Sequence, residues 1–256
     1  MNIRIHGSTM LPALIYLPGM HGDWTLASSL RHLVAGKACF VDMTYPRTTT
    51  WTLDDYAREI ETALLAAGVT EGWLVGESFG SQPAWAMIGR RQRNESPLKI
   101  HGLILAGGFV KHSWPWGAKL LRSVSGHMPR FAVRGLMKVY AGYAHIRHGH
   151  APETLAGIGE FVSNRLAPGE APAMQRRYTL ILENDLREVA RNTTLPVFHL
   201  AGLVDPLVPN VLVHHWLRRN CPGFRESRTI LSADHNVLAS SPRKSAEQIL
   251  KWIISA

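Results

Sequence analysis

Cysteine is nearly missing: two residues, Cys39 and Cys221, stand in a chain of 256. They are too few and too far apart for a disulfide framework or a metal site, and they read as small buried apolar residues. Long apolar runs are missing too. Nowhere do about 18 consecutive apolar residues occur, which excludes a membrane-spanning helix. Met1 to Met10 has neither the basic start nor the apolar stretch of a secretory signal, so a cytoplasmic protein is expected. Low-complexity tracts and internal repeats are lacking, and 46% hydrophobic with 18% charged residues excludes a disordered or fibrous chain. Acidic residues are the scarce charge: 19 Asp and Glu stand against 28 Lys and Arg, a formal net charge of +9. Between Lys111 and Arg191 twelve basic residues face six acidic ones, so 12 − 6 = +6 of that excess lies there. Such a surface attracts anions or serves only solubility.

What is present is an alternation of strand and helix patterns in a length suited to one large domain. Leu11 to Leu17 and Ala38 to Met43 read as buried strands with an amphipathic helix, Leu26 to Val34, between them. Leu53 to Ala67 has helical spacing, with Thr52 and the pair Asp54-Asp55 as start signals. Residues 72 to 76, Ile100 to Ala106, Leu195 to Ala201 and Arg228 to Leu231 continue the strands; Val208 to Arg219 and Ala246 to Ile254 continue the helices. The expected class is therefore α/β, a mainly parallel sheet covered by helices on both faces. The interval 110–191 breaks the alternation. There Val133, Leu136, Met137 and Tyr140, and likewise Leu155, Ile158 and Val162, fall at helical spacing. It reads as a helical cap above the strand carboxyl ends, inserted into a core made of 1–109 and 192–256.

The chemistry starts at Gly76-Glu77-Ser78-Phe79-Gly80, where an apolar strand runs into the helix-prone segment from Pro83. A glycine on each side lets strand and helix pass closely and leaves the serine in a strained turn with its hydroxyl exposed. A serine hydroxyl needs a base beside it, oriented by an acid. In this arrangement those partners follow in the order acid, then histidine. Asp205 comes after the strand ending near Ala201, and His235 after the strand ending near Leu231, so all three emerge at one edge of a parallel sheet. Asp205 before Pro206 could instead cap the following helix. Asp234 reads as a loop residue, Glu77 as support for the local turn, and His199, His214 and His215 as packed strand or helix residues. Acyl transfer also needs donors for an oxyanion: the N–H of Phe79, and one from the loop Pro18-Gly19-Met20-His21-Gly22-Asp23, where Met20 is the first candidate and His21 the second. His21 is otherwise structural or substrate-contacting. Trp114 and Trp116 pack the cap or line the pocket entrance.

Together the elbow at Ser78, the segment ending in Asp205, the His235 loop and the Pro18-Gly19-Met20 loop resemble the α/β-hydrolase family, in that family's order and over nearly the whole chain. The resemblance implies an eight-stranded core with a helical cap, a Ser78, Asp205 and His235 triad, and no cofactor or metal. With only about ten residues before Leu11, one or both of the family's leading antiparallel strands are expected to be missing. Carboxylic ester hydrolysis is the leading functional expectation. Thioester hydrolysis or acyl transfer from an anionic carrier, a binding protein without turnover, and an enzyme working at a membrane surface are the alternatives. The expected partner is a small-molecule ester, with no nucleic acid and no integral membrane segment, in a monomer or homodimer.

Overall fold

The computed structural model describes residues 1–255, with side chains described except at positions 115, 118, 121, 125–127 and 130. One sheet holds the strands β1 (Asn2–His6), β2 (Ala13–Leu17), β3 (Cys39–Thr44), β4 (Glu71–Glu77), β5 (Lys99–Ala106), β6 (Val197–Val204) and β7 (Phe224–Asp234). Their order is β1-β3-β2-β4-β5-β6-β7. Only the β1–β3 pair is antiparallel. The described residues thus give seven strands rather than the eight the resemblance implies: one leading strand is present. Ile3 and Ile5 of β1 pack on the core while Arg4 forks onto the buried Asp42 at 2.8 and 2.9 Å, a period-two pattern that makes a strand absent from the sequence expectations.

The inner strands are apolar on both faces because helices cover both. Ile15, Leu17, Val41 and Leu74 enter one core with Tyr56 and Ile60 of α2 (Leu53–Ala66) and Trp85 of α3 (Ser81–Gln92). Leu14, Tyr16, Phe40 and Val75 enter the other with Leu30 of α1 (Ser28–Val34) and with Ile249 and Trp252 of the C-terminal helix Pro242–Ser255. The start of α2 is as expected: Thr52 and Asp55 form a reciprocal capping box, which satisfies two otherwise orphaned N–H groups.

Between β5 and β6 come α4 (Pro115–His127), α5 (Arg130–Arg147), α6 (Pro152–Ala156), α7 (Ile158–Leu166), α8 (Glu170–Glu183) and α9 (Arg187–Arg191). Their own small core joins Ala144, Ile158 and Phe161 to Leu26 and Ala239. The expected Val133, Leu136, Met137 and Tyr140 face is only partly inward: Met137 and Tyr140 pack on this core, whereas Leu136 is 50% exposed. Leu155, Ile158 and Val162 do meet there, on two helices broken at Gly157 rather than on one. Beyond the insertion, α10 (Asn210–Asn220) and α11 (Val237–Ser240) flank the last two strands, and the C-terminal helix is α12.

Candidate functional site

Parallel pairing brings the carboxyl ends of five strands, β2, β4, β5, β6 and β7, to one edge. Leu17 pairs with Gly76, Glu77 with Ala106, and Val204 with Asp234. The next residue or two after β4, β6 and β7 are Ser78, Asp205 and His235.

Ser78 has φ +49°, left-handed backbone that costs a non-glycine residue on the order of 1 kcal/mol and persists only where the surroundings enforce it. They do so here. A methyl group at Gly80 would collide with the Leu17 carbonyl, and one at Gly76 would lie 2.8 Å from Ser81 Cα. Ser81 closes the turn, its hydroxyl donating to Ser78 O at 2.6 Å and to Phe109 O at 3.0 Å.

Ser78 Oγ lies 2.8 Å from His235 Nε2, and His235 Nδ1 lies 2.8 Å from Asp205 Oδ2. An ionised carboxylate only accepts, so the Nδ1 atom carries the hydrogen and Nε2 is left to accept from the serine. The two expectations for Asp205 turn out compatible: Oδ2 holds the imidazole while Oδ1 accepts the N–H groups of Leu207 and Val208 at 2.8 and 2.9 Å. Burial pushes its carboxyl up, but the bond to His235, that ring's charge and the two N–H bonds outweigh it and hold Asp205 below the usual carboxylate range. Gly107, with φ +58°, lets the neighbouring strand end fit under this histidine, since a Cβ there would sit 2.7 Å from His235 O.

The loop after β2 turns tightly, Gly22 N–H bonding Gly19 O at 3.0 Å. Met20 and His21 thereby line the same cavity as Ser78 and His235. Burial holds the His21 imidazole down to about 4, aided by Arg165 and Arg177 against the pull of Asp23, so the ring is neutral. Phe79 is fully buried beneath the turn. Trp114 and Trp116 lie elsewhere: they stack edge to face at 4.7 Å at the start of α4, and neither lines the cavity beside Ser78. That corrects the expectation that they frame its entrance; the pair is local, and its outer ring is 64% exposed.

Three further residues belong to the site. Glu77 does not serve the turn. It is 1% exposed and lines the cavity; the Tyr16 hydroxyl donates to Oε2, and His21 Nε2 approaches Tyr16 Oη at 3.3 Å. Burial lifts its carboxyl to about 7 despite the Tyr16 bond and the nearby His235. Arg177 of α8 donates to Met20 O at 2.7 Å. Asp234 is the last residue of β7 rather than a loop residue, and receives the Tyr143 hydroxyl at 2.9 Å and Arg147 Nε at 3.4 Å, docking α5. Glu77 and Asp234 were visible by position in sequence; nothing in sequence links Arg177 to a loop 157 positions away.

The cavity is about 940 Å³ and mostly apolar in lining, with Leu26, Met137, Tyr140, Phe161, Met174 and Tyr178 among its walls, a size and character suited to an organic ligand. Among the described residues no group of three or more His, Cys, Asp or Glu is placed to hold a metal ion, and no helix is long and apolar enough to cross a membrane.

No family model matches the chain, and no curated protein matches it. Solved structures do. A hydrolase from Pseudomonas aeruginosa PA01 superposes with a TM-score of 0.77 at 13% identity, covering 98% of this chain and 93% of its own. An esterase from Exiguobacterium antarcticum gives 0.76 at 15% identity, covering 98% and 94%. MGS-M2, an alpha/beta hydrolase enzyme from a Medee basin deep-sea metagenome library, gives 0.73 at 14% identity, covering 98% and 93%. With its mostly parallel sheet, helices on both faces and these likenesses over nearly its whole length, the chain has the α/β-hydrolase fold.

Proposed function

We propose that the protein is a serine hydrolase that cleaves carboxylic esters through an acyl-enzyme intermediate. The observation that carries this reading is the unbroken run of 2.8 Å contacts from Ser78 Oγ through His235 to Asp205, opening on a largely apolar cavity. Likeness of fold alone would not carry it, since one fold hosts many chemistries.

Ser78 Oγ attacks the ester carbonyl carbon while His235 Nε2 takes its proton, and Asp205 stabilises the imidazolium that forms. The carbonyl oxygen becomes an anion, received by the N–H groups of Phe79 and Met20, each worth about 10² to 10³ in rate. The C–O bond to the alcohol breaks as His235 returns the proton to the leaving oxygen. Water then attacks the acyl-serine with the same histidine as base, releasing the acid and restoring Ser78. The insertion 110–191 acts as a cap that walls the substrate space above the core formed by 1–109 and 192–256.

Hydrolysis of a p-nitrophenyl ester by wild type and Ser78→Ala tests the reading, together with labelling by a fluorophosphonate. Wild type is expected to turn over and to label at Ser78, and the variant to lose kcat by a factor on the order of 10⁴ or more and to stay unlabelled. A variant as fast as wild type removes Ser78 from the chemistry. A wild type that neither labels nor turns over makes the protein a ligand-binding member of the fold.

A further inference from the structure

We infer that the outer face of α4 and α5 is a docking surface for an anionic lipid bilayer. The inference does not depend on the chemistry at Ser78. From Lys111 to Pro152, 42 residues carry seven Lys or Arg and no Asp or Glu. The same stretch leaves an unusual amount of apolar surface uncovered. The inner side of α5 packs through Met137, Tyr140 and Ala144 on the insertion's core. Its opposite side presents Phe131, Leu136, Val139 and Ile146, exposed by 79, 50, 71 and 88%. At the α-helical angular step these four share an arc of about 140°. Arg134 and Lys138 border that arc; both are exposed and carry no ion pair among the described residues. α4 repeats the pattern: Trp116, Leu120 and Val124 follow one another at intervals of four, exposed by 64, 59 and 49%, with Lys119 beside them.

Isolated exposed apolar residues need no explanation, but exposed apolar residues recurring at helical spacing along each of two successive helices mark an interaction surface. Its charge selects the occupant. A second copy of the chain would bring Lys119, Arg134 and Lys138 against the same three cations, whereas an anionic bilayer neutralises them and takes up the apolar side chains at its headgroup boundary. Because no helix among the described residues is long and apolar enough to cross a membrane, the pair lies on the bilayer. Tyr143, which falls within the same arc, and Arg147 beside it line the cavity, so docking places the edge of the cavity next to the lipid-facing surface.

Flotation of the full-length protein with phosphatidylcholine vesicles, with and without phosphatidylglycerol, tests this. Wild type is expected to float only with phosphatidylglycerol present. The triple variant Lys119→Glu, Arg134→Glu, Lys138→Glu is expected to bind at least about a hundredfold more weakly, and Phe131→Ser, Val139→Ser, Ile146→Ser at least about tenfold more weakly. None of these six residues lines the cavity, so both variants should keep the wild-type circular dichroism spectrum and the wild-type rate, if any, on a soluble short ester. Failure of wild type to float, or equal flotation by the charge-reversed variant, overturns the proposal. Flotation unaffected by the serine substitutions shows ionic adsorption only and also overturns it. So does absence of flotation combined with a dimer that the serine substitutions split, which would assign the face to a second copy.

Discussion

Asp205 performs two tasks with two oxygens, and the tasks can be separated. Asparagine keeps an oxygen for the N–H groups of Leu207 and Val208, but it turns an NH₂ group toward His235 Nδ1. A donor there forces the ring hydrogen onto Nε2, which can then no longer accept from Ser78. Asp205→Asn is therefore expected to lower kcat on a p-nitrophenyl ester by a factor on the order of 10⁴, with a melting temperature close to that of wild type; a large fall in melting temperature with kcat preserved would make Asp205 a turn residue only. Glu77 gives a second prediction, in stability. The folded carboxyl keeps its proton to about 7, against the ordinary glutamate value of 4.5 in the unfolded chain. Between those values the folded state binds more protons than the unfolded one, so the Glu77 contribution is fully present below pH 4.5, is lost as pH rises, and is gone above 7. The whole span is worth at most about 3 kcal/mol. Glu77→Gln, which cannot ionise, is expected to gain on wild type progressively from pH 5 to about pH 7 in urea unfolding and to level off by pH 8. A constant difference across that range would mean that Glu77 is ionised throughout.

The turn after β2 is shaped by an element far from it in sequence. Arg177 on α8 is 1% exposed and donates to Met20 O, while a Cβ at Gly22 would lie 2.7 Å from its guanidinium. Tyr45 N–H bonds Gly22 O at 2.8 Å from the other side. If Met20 N–H receives the oxyanion, Arg177 positions it. Arg177→Met should then lower kcat about tenfold to a hundredfold with little change in KM, and Arg177→Lys should restore part of the loss through its single donor. A thionoester distinguishes this from a general loosening: its sulfur gains less from oxyanion donors, so the oxygen-to-sulfur rate ratio should fall in Arg177→Met, and an unchanged ratio would remove the turn from the reaction. These couplings mark the limit of legibility. The strands, the elbow at Ser78 and the loops of Asp205 and His235 were readable, because each is set by local pattern and parallel pairing fixes which ends share an edge. Strand β1 was missed because five residues with only Ile3 and Ile5 inward give a faint signal. The Trp114 and Trp116 expectation failed because whether an aromatic on a helix faces a cavity depends on how that helix docks.

The whole molecule carries +9, yet the cavity beside Ser78 does not share that excess. Its two arginines are engaged, Arg147 with Asp234 at 3.4 Å and Arg165 with Asp23 at 2.9 Å and Glu170 at 3.1 Å. The positive field therefore acts on ligands from outside, at distances that salt screens, whereas the binding space selects by apolar contact. An anionic carrier drawn by that field would be attracted to the surface without finding an unpaired cation inside among the described residues. Burying an uncompensated carboxylate is costly, so the neutral member of a size-matched ester pair is expected to be favoured in kcat/KM by at least about tenfold at high salt. The same neutral ester should show nearly the same kcat/KM at low and high salt, and the carboxylated one a decline as salt rises, since only its approach is steered. The measurement is a salt series on both esters with wild type. A carboxylated ester that remains the better substrate at high salt would mean that Arg147 or Arg165 releases its partner to bind it, and would put the acyl-carrier reading ahead of simple ester hydrolysis.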